Sequence, residues 1–105
     1  MKYLTTAFSP MMLERYGEAY VAEIDIVELK ENAVSCQSVI GHENTAKIVS
    51  LLLGFNVGFN RDNIELKSGD FVYIIIPKFR ANEAREFTEE EVVNSGFRCF
   101  KVKVH

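Results

Sequence analysis

The chain has 105 residues, 48% of them hydrophobic, with a formal net charge of -3 and a pI near 5.4. That length suits one compact domain over residues 1–105 and is too short for two. The acidic balance argues against a long nucleic acid gripped along a track, while a small anion in a local pocket stays compatible.

In chain order, MKYLTTAFSPMM lacks a continuous apolar run followed by small residues, so no signal peptide is read there. No apolar run anywhere is long enough to span a bilayer, and no membrane partner is expected. Lys2 to Ala7 reads as a first strand. Ser9 as N-cap and Pro10 at the first helical position predict a short helix ending at Gly17. Ala19 to Ile26 alternates, with Tyr20, Ala22, Ile24 and Ile26 on one side, which predicts a strand with one core face. Ile26 to Asn32 fits a helical turn. Asn44 to Leu53 carries its helical stripe at 45/46, 48, 49, 52 and 53, stopped by Gly54.

Ile64 to Lys67 and Phe71 to Lys78 are β-prone runs joined by Ser68-Gly69-Asp70, and predict a β-hairpin. Phe71 to Ile76 is almost wholly apolar, as in a strand covered on both faces. Ala81 to Phe87 is polar and unpatterned, a loop. Thr88 and Glu91 form a capping box for a helix that Gly96 ends. Phe97 to Val104 alternates as a final strand. The expected class is therefore α+β, a single mixed β-sheet with helices packed on it and a hairpin. Cys36 and Cys99 have no CxxC spacing; they could pair only if the fold brings them together, and are expected to be partly buried free thiols in a reducing cytoplasm.

The chemistry-bearing residues are few. With two histidines, no HxxxH and no paired aspartates, neither a metal site nor a cofactor is expected. No GxSxG elbow and no glycine-rich phosphate loop is present. Glu89, Glu90 and Glu91 read as a solvated helix start favoured by the helix dipole. His42 follows Gly41 directly before a predicted helix, where free N–H groups attract phosphate and an imidazole can protonate a leaving oxygen. The competing account makes His42 a cap-region residue satisfied by local backbone. Arg80 and Glu83 follow the buried strand into a polar loop, where an arginine can clamp phosphate and a glutamate can orient a hydroxyl. Here the competing account is two solvated charges. Asn60-Arg61 alone is a turn with a surface arginine.

Together, YLTTAFSPMML, IGHENTAKIVSLLLG, NRDNIEL and PKFRANEA resemble, in order and over nearly the whole chain, the small viral ring nucleases that act as anti-CRISPR proteins against type III systems. The resemblance implies a homodimer in the host cytoplasm that cleaves cyclic tetra-adenylate without metal, through attack of a ribose 2′-hydroxyl on the adjoining phosphate. The product implied is linear di-adenylate ending in a 2′,3′-cyclic phosphate. His42 matches the family's proton donor, and Arg80 and Glu83 match its catalytic site. Thr6, Ser9, Thr45 and Arg61 match positions that imply ligand binding. The chain departs from the family pattern at Thr6, where Asn is common, and at Phe79 and Ala84, where Gln and Gly are usual. A ring of four nucleotides is large for so short a chain, and a two-fold dimer would present one patch twice across it.

Two other classes of function compete with this one. A non-catalytic dimer that sequesters a nucleotide or occupies DNA predicts binding without turnover, with strong salt dependence if the ligand is DNA. A surface that blocks a host factor predicts a stable protein complex and no turnover.

Overall fold

The computed structural model describes residues 1–8, 12–13, 18–60, 64–78 and 88–105. Their framework is one five-stranded mixed sheet in the order β2-β5-β4-β1-β3. The strands are β1 (Lys2–Thr5), β2 (Ala19–Ile24), β3 (Gln37–Ser38), β4 (Phe71–Pro77) and β5 (Phe97–Val104). β1 runs parallel to both β3 and β4, while β5 is antiparallel to β4 and β2. The helices are α1 (Ile26–Ala33), α2 (Glu43–Leu53) and α3 (Glu89–Ser95). The expected α+β mixed sheet with packed helices is thus the observed architecture.

Local chemistry sets the helix limits. Asp25 caps α1 by accepting from the Glu28 N–H at 2.8 Å. Thr88 caps α3 by accepting from the Glu91 N–H at 3.2 Å, as the capping box predicts. Each cap is worth about 1 kcal/mol. Gly54 ends α2 at φ 79°, a left-handed conformation that costs a side-chain-bearing residue about 1 kcal/mol.

One sheet face carries Leu4, Tyr73, Ile75 and Cys99, covered by Leu29 and Ala33 of α1, Val49 and Leu52 of α2 and Val92 of α3. The other carries Tyr3, Val72, Ile74, Val102 and Val104, with Leu66 packed over them. β4 has neighbours on both edges and layers on both faces, which accounts for its apolar run.

Four expectations change. β1 stops at Thr5, because the Thr5 hydroxyl bonds both the N–H and the carbonyl of Ala7 and turns the chain. β2 stops at Ile24, because Asp25 is already the cap of α1. Its alternating side does not form a core face throughout. Tyr20 is 67% exposed, since β2 is the outer strand of the sheet. The hairpin is absent. Leu66 makes a lone parallel bridge to Leu13 instead of pairing with β4. The turn chemistry at Ser68-Gly69-Asp70 is nevertheless real, with Gly69 at φ 91° and Asp70 accepting from the Lys67 N–H at 2.9 Å. It redirects the chain into β4 without setting up a second strand. Most of the helix expected from Ser9 to Gly17, and the whole loop from Ala81 to Phe87, lie outside the described residues.

The Asp70 carboxylate also receives the Met1 ammonium at 3.3 Å, and the Gly69 N–H donates to the Val104 carbonyl at 2.9 Å. Both chain ends therefore meet at the edge where β4 begins.

Cys36 and Cys99 are both free thiols. Cys36 precedes β3 and Cys99 sits in β5, with β1 and β4 between those strands. Three strand spacings alone separate them by roughly 14 Å, and an offset along the strands adds to it, beyond disulfide reach. Burial pushes each thiol up from the ordinary value near 9 to about 11. At pH 8 the thiolate population should fall about 100-fold below that of a free thiol. Iodoacetamide should accordingly label the folded protein far more slowly than the urea-unfolded chain. Equal labelling rates by mass spectrometry would contradict this environment.

Candidate functional site

The parallel strands β1 and β3 end on the same edge of the sheet as β4, and the chain turns at each end. Ligands of open α/β sheets gather outside such carboxyl ends, where connections diverge to either side. Here β1 lies between β3 and β4, and α2 carries the chain from β3 past β1 to β4. Thr6 directly follows β1. The segment Val39-Ile40-Gly41 leads from β3 to His42, the N-cap of α2.

His42 has an extended backbone, φ -129° and ψ 133°, and its side chain does not form the capping hydrogen bond that Asp25 and Thr88 form in the other helices. Its carbonyl accepts the Ala46 N–H at 3.0 Å, starting the helical ladder. The imidazole is exposed, while Ile40, two residues earlier, is buried. Thus the chain enters α2 from a fixed apolar anchor with the histidine facing solvent. Thr45 lies in the first turn of α2 and is half-buried. Glu43, also in that turn, has its carboxylate 3.9 Å from the Lys47 ammonium, a surface pair.

A second segment returns to this edge. After α2, residues 57–60 run back alongside Ser38 to Ile40, held at three points. The Val57 N–H donates to the Ser50 hydroxyl at 2.8 Å. The Ser38 hydroxyl donates to the Gly58 carbonyl at 2.6 Å. The Asn60 N–H donates to the Ile40 carbonyl at 2.7 Å. Ser38 and Ser50 were not apparent as site-building residues from the sequence. Serine in a helix or short strand carries no spacing signal, and only the return of the loop gives these hydroxyls partners.

Of the predicted site residues, Thr6, His42 and Thr45 fall at the carboxyl edge of the parallel strands and the start of α2. Ser9, Arg61, Arg80 and Glu83 lie outside the described residues, as do Phe79 and Ala84. Among the described residues no group of three or more histidine, cysteine, aspartate or glutamate side chains is placed to hold a metal ion. Among them, too, no helix is long and apolar enough to cross a membrane.

Comparison with known proteins gives the same architecture a lineage. The chain is 28% identical over 106 residues to the ORF116 protein of Acidianus filamentous virus 1, covering 98% of this chain and 90% of that one. It is 30% identical over 104 residues to protein 26 of a Sulfolobus islandicus filamentous virus, covering 96% and 88%. The solved structure of B116 from Sulfolobus turreted icosahedral virus superposes with a TM-score of 0.78 at 25% identity, covering 97% of each chain. A family model described as STIV B116-like matches residues 2–99, and the chain belongs to this family of viral proteins.

Proposed function

We propose that this protein is a ring nuclease, a metal-independent phosphodiesterase that opens cyclic tetra-adenylate to linear di-adenylate and so shuts off type III CRISPR defence in the host cytoplasm. The observation that carries the proposal is the position of His42. It is an exposed histidine at the mouth of α2, on the carboxyl edge of parallel strands. The ordered sequence resemblance to viral ring nucleases and the viral origin of the relatives support it further.

The chemistry needs little from the protein. A ribose 2′-hydroxyl attacks the adjoining phosphorus in line, forming the 2′,3′-cyclic phosphate as the bond to the 5′-oxygen breaks. Protonated His42 gives its proton to that departing oxygen, a contribution of roughly 10² to 10⁴ in rate. Free N–H groups at the start of α2 and the Arg80 guanidinium offset the charge on the phosphate. Glu83 orients the attacking hydroxyl, whose proton passes to its carboxylate or to solvent. Thr6, Ser9, Thr45 and Arg61 bind the ring. The nucleophile belongs to the substrate, so no metal-activated water is required. A homodimer presents two copies of His42 to opposite phosphates, and two cuts give two equal products.

Incubation with radiolabelled cyclic tetra-adenylate, with and without EDTA, tests this. Linear tetra-adenylate should appear first and di-adenylate last, at the same rate in both arms. Tight binding with the ring left intact would instead identify a sequestering protein. Activity lost in EDTA and restored by a divalent ion would exclude the metal-independent route.

A further inference from the structure

We propose that Phe59 is a platform on which one adenine of the bound ring stacks, an assignment that rests on the ring-nuclease proposal above. Phe59 is 54% exposed and packs in neither of the two core clusters, so its ring face is open to a ligand. Its backbone is not free to fold the ring away. The peptide groups on either side are both tied down, the Gly58 carbonyl by the Ser38 hydroxyl at 2.6 Å and the Asn60 N–H by the Ile40 carbonyl at 2.7 Å. Ser50 fixes the start of the same loop through the Val57 N–H at 2.8 Å.

The place where the loop is tied matters as much as the tie. Ile40 is two residues before His42, so the segment that aims the histidine also holds Phe59. A phosphate at the start of α2 and a base against Phe59 would belong to neighbouring parts of one nucleotide ligand. Single-stranded nucleotides expose their base faces, and aromatic side chains recognise them by stacking without hydrogen bonds. A preorganised aromatic loses little freedom on binding, which favours affinity. The loop therefore supplies an apolar base contact beside the phosphate contacts.

The chain has no tryptophan, so Phe59→Trp introduces a single tryptophan, excited selectively at about 295 nm, at the platform. Binding is measured by gel shift of radiolabelled cyclic tetra-adenylate in a His42→Ala background, which prevents turnover. Phe59→Leu, which keeps apolar bulk but has no π face, should bind the ring about 10- to 100-fold more weakly. Phe59→Tyr and Phe59→Trp should bind near the parent strength, and the tryptophan emission should change on saturation. Parent-strength binding by Phe59→Leu, with unchanged emission from ring-saturated Phe59→Trp, would overturn the assignment alone. Failure of the wild-type and parent proteins to bind the ring would overturn the ring-nuclease proposal and the assignment with it. Circular dichroism of each variant separates lost binding from lost folding; if Phe59→Leu unfolds, the emission of Phe59→Trp decides the question.

Discussion

His42→Ala is expected to lower the single-turnover rate of ring cleavage by roughly 10² or more while leaving the affinity for cyclic tetra-adenylate nearly unchanged. The physical reason lies in how the residue is held. The backbone of His42 starts the α2 ladder through its carbonyl, and alanine supplies the same carbonyl. The lost side chain is exposed, so its removal opens no cavity in the core. What disappears is the proton that the departing 5′-oxygen must acquire. Quenched-flow cleavage of labelled ring, alongside gel-shift binding, separates the two quantities. A variant that cleaves at the wild-type rate would remove His42 from the chemistry.

The second large effect is on stability. Ile75→Ala should destabilise the fold by about 2 to 5 kcal/mol, the range for deleting a large buried aliphatic side chain. Ile75 is fully buried in β4, pairs with Cys99 of β5 and packs in the cluster that joins the sheet to the helices. For a domain whose total stability is on the order of 5 to 15 kcal/mol, that is a large fraction. The urea midpoint should fall without loss of the cooperative transition, and an unchanged midpoint would show that this layer of the core repacks freely.

Elements whose limits are set by local chemistry were legible in the sequence. The stripe from Ala46 to Leu53 with Gly54 behind it, Thr88 with Glu91 and Gly96, and the alternation of Phe97 to Val104 each carry their start or stop in a few adjacent residues. Features set by distant partners were not. β3 is two residues long, and nothing in Gln37-Ser38 announces that β1 lies beside them. Leu66 belongs to Leu13 instead of β4, a choice that turn chemistry at Gly69 cannot reveal. Tyr20 alternates as a core residue should, but its strand is at the sheet edge and the ring stays exposed. At the candidate site, His42 stood out because Gly41 precedes it and a helix follows it. The Ser38 and Ser50 anchors became visible only once the loop was seen to return.

The meeting of both chain ends at the start of β4 has a practical consequence. β4 is seven residues long, so the opposite edge, where His42 and the ends of the parallel strands lie, is about 20 Å away. A purification handle, dye or solid support joined at Met1 or His105 would project from the far end of the sheet. Attachment chemistry at either end therefore leaves the His42 edge unobstructed, and an immobilised protein would present that edge outward in a test of the proposed ligand capture.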